Sequence, residues 1–380
     1  MFEVTKQQEM LITMVREFSE KEIAPLAEEL DCTGKFPAET TRKMTALGLL
    51  GLNVPKKYGG VGLTEVDKVL CIIEVARACS STAEMFAVQL LVNGIITNYG
   101  TEEQKKKYLG MTCCEGKLGA FALTEPGAGS DAGGLQTTAT EDGDSYILNG
   151  SKCFISNLGP TEGEYAIVIA LTDKVKKTHG GMTAFLVDRD TPGFIVGTLE
   201  DKMGIRGAAV SELILEECRV PKNQVLGKVG KGFHIAMSGL DSGRVGIAAQ
   251  ACGEAQAALD AAIEYSKQRS QFGRPIAAKQ GLQWYLAEMA TRLEAAKLLT
   301  LKAADLRDRK LPAAMNASMA KFFAAETANE IAAKAVQIHG GYGYMKDYAI
   351  ERIYRDARIL TIYEGTSEVQ KIVISKELLK

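Results

Sequence analysis

Tyr165-Ala166-Ile167-Val168-Ile169-Ala170, with Ser145-Tyr146-Ile147-Leu148 before it and Thr183-Ala184-Phe185-Leu186-Val187 after it, decides the fold class. The runs are short and rich in β-branched and aromatic residues, and Gly and Asp cluster between them. No helical pattern separates them, which argues against a parallel βαβ sheet and for an antiparallel barrel or sandwich from about Leu118 to Leu226. On both sides of this region the pattern is helical. Met10, Leu11, Met14, Val15 and Phe18 recur at helical spacing, and Val66 to Ala78 reads as another helix after a Pro- and Gly-rich loop at Val54 to Gly62. Beyond Gly232, the segments Val245 to Lys267 and Leu282 to Leu306 are long enough for bundle helices. The predicted class is therefore α+β and multi-domain: a helical domain at 1–117, a β-barrel or β-sandwich domain at 118–226 and a helical bundle at 227–380.

The chain has 380 residues, 46% of them apolar, enough for sizeable cores. Its formal net charge is −2, from 45 basic and 47 acidic residues well interspersed. That balance provides no field to gather nucleic acid or an anionic membrane, so neither partner is expected and a polyanionic ligand must be held locally. Eight cysteines are scattered without CxxC pairs, which points to a reduced, cytoplasmic setting. The one adjacent pair, Cys113-Cys114, is read as neighbours on a strand that point apart. Met1 to Phe18 carries Glu3, Lys6, Glu9 and Arg16, unlike a signal or transit peptide, and no apolar run is long enough to span a membrane.

Several constellations are candidates for chemistry. Phe121-Ala122-Leu123-Thr124-Glu125-Pro126-Gly127-Ala128-Gly129-Ser130-Asp131-Ala132-Gly133 is a Gly-rich loop beside a strand, suited to a phosphate or a polar ring edge. Its glycines lack dinucleotide-fold spacing and no helix pattern follows, so an ordinary turn is the competing reading. In Asn149 to Asn157, alternation places Phe154 and Ser156 on one face, an aromatic wall and a hydroxyl suited to a flat heteroaromatic ring. Read alone, Phe154 is better taken as a core residue. Lys267 to Pro275 sets Arg269 and Arg274 beside Phe272, as a pyrophosphate site or a solvated helix end. Gln337 to Tyr344 and Tyr363 to Glu368 pair glycines with a Glu in a turn that is able to act as a base. His339 fits a satisfied helix-end histidine. None of the three histidines lies within metal-ligand spacing of another or of a cysteine, so no metal is expected.

In this order, Ala122 to Asp131, Arg269 to Gly273, Gln337 to Gly341 and Ile362 to Thr366 resemble the acyl-CoA dehydrogenase family, from about residue 5 to residue 379. The likeness is greatest to its short-chain members of the butyryl-CoA dehydrogenase and acryloyl-CoA reductase types. The resemblance implies an N-terminal helical domain, a central β domain and a C-terminal four-helix bundle, in a homotetramer with one FAD per subunit. It implies that Phe121, Leu123 and Thr124 meet the polar edge of the flavin, that Phe154 and Ser156 lie against its ring, and that Ser130 faces the CoA phosphates. Phe154 stands where Trp is common and Ser156 where Thr is common; each keeps the aromatic face or the hydroxyl. Arg269, Phe272, Gln280, Gln337 and Gly341 are implied to hold the adenosine pyrophosphate of a neighbour's FAD, with Thr366 and Glu368 closing over the cofactor.

The implied reaction is α,β-dehydrogenation of a short acyl-CoA to the 2-enoyl-CoA, or the reverse, with electron-transferring flavoprotein as redox partner. Charge on the thioester carbonyl must be stabilised as the α-proton leaves. The family does so with the Glu364 backbone N–H and a ribityl hydroxyl, while Glu364 takes the proton and hydride goes to flavin N5. The family's alternative base position is Gly243 here, which cannot accept a proton, so the role falls to Glu364. Asp241, Arg244 and Gly365 are left to contact substrate or CoA. Phe86 to Ile95 is expected to line the acyl cavity with bulky groups that admit about three to six carbons, while Gln89 and Asn93 offer contacts to a polar acyl group. An acyl-CoA oxidase, a flavin monooxygenase and a non-enzymatic helical scaffold are the alternative readings.

Overall fold

The computed structural model describes residues 4–159 and 163–380. Helices α1 (Lys6–Phe18), α2 (Ala27–Thr33), α3 (Ala38–Ala46), α4 (Glu65–Ala78), α5 (Ser80–Tyr99) and the short α6 (Glu102–Gln104) precede the first strand. Thr5, Thr64 and Thr101 start three of them with reciprocal caps, in which the hydroxyl accepts the N–H three residues on and that residue's side chain accepts the cap N–H. Along α1 the apolar stripe is narrower than the sequence pattern suggests. Val15 is buried and Leu11 and Phe18 pack on the core, but Met10 and Met14 stand in solvent at the edge of the stripe.

Strands β1 (Leu118–Ala122), β2 (Thr138–Asp142), β3 (Ser145–Ser156), β4 (Gly163–Leu171), β5 (Met182–Asp188), β6 (Phe194–Leu199), β7 (Val210–Pro221) and β8 (Val225–Leu226) form the middle layer. Their order is β6-β7-β3-β2-β4-β5-β8, with β1 alongside β4. The sheet is an open sandwich layer and not a closed barrel, which removes one of the two expected forms. It is also mixed: β1 runs parallel to β4, and β2 meets β4 in parallel at Thr138 and Leu171. The β2–β3 hairpin lies between β1 and β4 in sequence, so no tight turn dictates their relative direction.

β4 explains why the deciding stretch reads as a continuous apolar run. Tyr165, Ile167 and Ile169 face a cluster with Leu91, Val92 and Ile95 of α5, while Ala166, Val168 and Ala170 face Phe185, Leu213 and Val220 of the sheet's own core. Both faces of the strand are buried, so the polar member of the usual alternation is missing. Cys113 and Cys114 are not on a strand as read from the sequence. They sit in a helical turn, Met111–Glu115, which Gly116 ends at φ 69°.

Helix α7 (Gly232–Gln268) opens the last layer and is longer than its sequence pattern marked. A two-residue ribbon, Ser270–Gln271 with Arg274–Pro275, leads to α8 (Gln280–Asp308), and α9 (Ala314–His339), α10 (Ala349–Ala357) and α11 (Ser367–Leu378) follow. Buried alanines along α7 and α9 let these helices approach closely. Helix α7 also packs on α5 through its glycines. A Cβ on Gly239 would stand 2.6 Å from Ile95 Cδ1, and one on Gly246 would stand 3.8 Å from Ala87 Cβ. The two helices thus run antiparallel, and the space left by absent side chains lies between them.

Candidate active site

Glu364 sits in the turn before α11, which Thr366 caps by accepting the Val369 N–H at 3.3 Å. Glu364 and Gly365 are both left-handed, at φ 53° and 90°. Glycine takes that conformation without a Cβ penalty, whereas the glutamate takes it as a strained residue that its surroundings must hold. Lys321 Nζ donates to the Gly365 carbonyl at 2.8 Å, and Gln370 Nε2 donates to the carbonyls of Glu364 at 3.2 Å and Gly365 at 2.8 Å. The Tyr363 hydroxyl donates to Gln250 Oε1 at 2.7 Å and ties the turn to α7.

This turn lays the carboxyl of Glu364 against Gly243 of α7. A Cβ built on Gly243 would stand 2.5 Å from Glu364 Oε2 and 2.7 Å from Leu91 Cδ1, so the glycine makes room for the carboxylate. Glu364 Oε2 is buried and has no hydrogen-bond partner. Burial raises the Glu364 carboxyl to about 7, opposed by the Arg244 charge, reinforced by Glu84 and opposed by Lys321. Arg244 is itself buried and donates to Asp241 Oδ1 at 2.7 Å.

The second wall comes from the β layer. Glu125 anchors the Gly-rich loop by accepting the N–H groups of Gln136 at 2.6 Å and Thr137 at 3.0 Å and Lys152 Nζ at 2.7 Å. Lys152 also donates to the Leu123 carbonyl at 3.1 Å, and the Cys153 N–H donates to the Thr124 carbonyl at 3.0 Å. These bonds fix Leu123 and Thr124 against β3 at a register break between Lys152 and Ile155. In that break Phe154, at φ 58°, stands 66% exposed while Cys153 and Ile155 are buried. Ser156, half-buried, follows and donates to Glu84 Oε1 at 2.6 Å. Phe121 is half-buried, Leu123 is buried and Ser130 lies exposed at the loop tip.

A flavin fits this wall. An aromatic face with nothing packed over it, hydroxyls at Thr124 and Ser156, and open space in front of Gly127 and Gly129 match a flat heteroaromatic ring with a polar edge. The remaining predicted cofactor residues, Arg269, Phe272, Gln280, Gln337 and Gly341, are all exposed. The Arg269 guanidinium lies 5.6 Å from the centre of the Tyr342 ring, which brings the loop after α7 beside the end of α9. Phe272 is 92% exposed at φ 55°, and Lys279 Nζ lies 5.0 Å from its ring centre. Gln337 lines a cavity of about 790 Å³ with Lys202, Arg206 and Arg355. Thr366 and Glu368 open α11, where Glu368 is exposed. His339 has the bland role expected: it is buried, its Nδ1 is 2.8 Å from the Ala335 carbonyl, and it stacks on Tyr265.

Sequence reasoning missed Glu84, Lys321 and Gln370. A legible signal existed for Glu84, the one charged residue in the 20-residue helix α5. It also misplaced the polar contacts of the acyl cavity. Gln89 donates to Asn93 and Thr112 and accepts the Gly119 N–H at 2.7 Å, and Asn93 donates to the Leu50 carbonyl at 2.7 Å. Both are fully buried, with polar atoms used by Thr112 and Leu50 of the helical layer and by Gly119 of β1. Helical spacing turns Glu84, Ala87, Val88 and Leu91 to another side of α5.

Comparison with known proteins gives three family matches in chain order: "Acyl-CoA dehydrogenase, N-terminal domain" over residues 5–115, "middle domain" over 120–218 and "C-terminal domain" over 230–379. The chain is 49% identical to acryloyl-CoA reductase (NADH) of Anaerotignum propionicum over 381 aligned residues, covering 100% of this chain and 96% of the relative. It is 49% identical to subunit CarC of the caffeyl-CoA reductase-Etf complex of Acetobacterium woodii, covering 99% of each. Among solved structures, butyryl-CoA dehydrogenase from Megasphaera elsdenii superposes with a TM-score of 0.97 at 43% identity, covering 100% of both chains.

Proposed function

Because this chain belongs to the acyl-CoA dehydrogenase family, we propose that its cleft carries out that chemistry on a short acyl group, with Glu364 as the base. The protein is a flavin-dependent oxidoreductase acting at the Cα–Cβ bond of an acyl-CoA. The observation that carries the assignment of the base is the unpartnered Glu364 Oε2, held against Gly243 and beside Leu91. FAD, when bound, supplies the acceptor for the hydrogen that leaves Cβ.

The chain's residues do the rest. Glu364 Oε2 accepts the α-proton, or returns it when an enoyl group is reduced, and the Lys321 and Gln370 bonds to the turn hold the carboxyl in place. Arg244 favours the ionised form of Glu364, and burial favours the neutral one. Proton abstraction needs the ionised carboxylate, so flavin reduction under kcat/KM conditions should rise as pH increases through about 7. Stopped-flow rates across about pH 5.5 to 8.5 test this, and a flat profile would remove Glu364 as the rate-controlling base.

Leu91 narrows the recess on the α5 side, which supports an acyl chain of about three to six carbons. A C12 chain would have to displace packed side chains at about 1–3 kcal/mol. Anaerobic bleaching of the yellow enzyme should therefore be faster with butyryl-CoA than with dodecanoyl-CoA. The reverse order, or a protein that cannot be loaded with FAD, would refute the reading.

We further propose domain divisions at 1–117, 118–226 and 227–380, supported by strands that run from Leu118 to Leu226 between two helical layers. Electron-transferring flavoprotein as redox partner is supported by the Etf complex named for one relative. Exposure of Phe272 and Trp284, with Arg269, Gln280 and Gln337 all at the surface, supports a homotetramer whose subunits share FAD sites. Sedimentation of the FAD-loaded enzyme as a monomer would contradict it. Eight free cysteines support a reducing, cytoplasmic location.

A further inference from the structure

We propose that Glu84 is a specificity residue that receives a hydrogen-bond donor carried by the acyl group, so that the preferred substrate is a short hydroxyacyl- or aminoacyl-CoA in place of a plain alkanoyl-CoA. The inference rests on the acyl-CoA dehydrogenase reading and deepens it by naming the acyl class.

Glu84 is 2% exposed, and its two carboxyl oxygens differ. Oε1 accepts the Ser156 hydroxyl at 2.6 Å, whereas Oε2 is buried without a partner. The same helix face carries Leu91 two turns later, which meets Gly243 and the Glu364 carboxyl, and Ala87, which meets Gly246. Glu84 therefore belongs to the row that faces the base, and its charge acts on both Glu364 and Tyr363. On the other side Ser156 ties it to the flavin wall. Burial pushes the Glu84 carboxyl up to about 7, opposed by the Ser156 hydrogen bond and then by the Lys202 charge, and Lys202 Nζ donates to the Glu200 carbonyl at 3.3 Å.

A carboxylate oxygen that has lost water without gaining a donor is costly, and replacing it with an apolar group of similar shape removes that cost. Gln89 and Asn93, polar side chains further along α5, are consumed internally, so they neither satisfy Glu84 nor reach a ligand. For the ionised form of Glu84, a substrate O–H or N–H is the missing partner, and pairing with it favours that form. A recess built to pair such a group also rejects an analogue that lacks it, because the carboxylate stays unpaired when the analogue binds.

The test uses matched thioesters with the FAD-loaded enzyme: 4-hydroxybutyryl-CoA against butyryl-CoA, and 5-aminovaleryl-CoA against valeryl-CoA. In at least one pair, kcat/KM for flavin reduction should favour the donor-bearing member by about tenfold or more. Preference in the hydroxyl pair means pairing with a neutral donor, and preference in the amino pair means an ion pair. Glu84→Leu should abolish or invert the preference. Calorimetric binding in the Glu364→Gln background, with and without Glu84→Leu, should show the same change in Kd without turnover. FAD content and the bound-flavin absorption spectrum of each variant show that the site is assembled. Preference for the plain acyl member in both pairs, or a ratio unmoved by Glu84→Leu, would overturn the role of Glu84 and leave the dehydrogenase reading standing. Reduction by none of the thioesters would overturn both.

Discussion

Glu364→Gln is expected to bind FAD and acyl-CoA normally yet reduce its flavin about 10²-fold or more slowly, the scale on which removing a general base acts. Glutamine keeps the volume against Gly243 and Leu91, and the turn's own bonds run through the backbone carbonyls of residues 364 and 365. The substitution therefore removes basicity while leaving shape. Loss of the carboxyl also removes a charge on which Arg244 and Lys321 act, so a modest change in thioester affinity is compatible with the role. Stopped-flow reduction with butyryl-CoA, alongside FAD content and thioester titration, measures each part. Flavin reduction at the normal rate would show that another group takes the α-proton.

Gly243→Ala tests the same arrangement from the opposite side. The added methyl would overlap Glu364 Oε2 at 2.5 Å and Leu91 Cδ1 at 2.7 Å, and both are side-chain ends able to give way. The helix should form and the cofactor should bind, but the carboxyl must move. A displacement of about 1 Å at a reacting group costs about 10²-fold in rate. Moving the carboxylate itself makes the sharper experiment. In the double variant Gly243→Glu with Glu364→Gly, the base would approach the same space from α7, and glycine at 364 relieves the left-handed backbone that glutamate holds at φ 53°. The double variant should recover flavin reduction by about tenfold or more over Glu364→Gly alone. An unaltered rate in Gly243→Ala would mean that Glu364 is not confined by this contact.

Much of the site was legible because it is written in short segments. The Gly-rich loop and the turn at Tyr363 to Glu368 stand out as segments, while the resemblance to the family gave the loop its cofactor role and the missing carboxylate at residue 243 its meaning. The polar side chains of α5 could not be read this way. Gln89, Asn93 and Glu84 are all buried and polar on one apolar helix, and only their partners separate them: Gly119, Thr112 and Leu50 use up the first two, while Ser156 reaches just one oxygen of the third. Of those partners Gly119 and Ser156 come from the strand layer, and they lie up to 72 positions away in sequence.

The amino-acid sequence by itself determined the helical, strand, helical order, because hydrophobic period and turn residues act over a few neighbours. It also singled out Glu364 as the candidate base. Only the tertiary structure decided that the strand layer is an open, mixed sheet, since β1 and β4 are joined by no turn that sets their direction. It alone decided that Gly243 makes room for a carboxylate, and that one oxygen of Glu84 is left without a partner. Burial and hydrogen-bond satisfaction are properties of what surrounds a side chain, and those surroundings exist only once distant segments have packed.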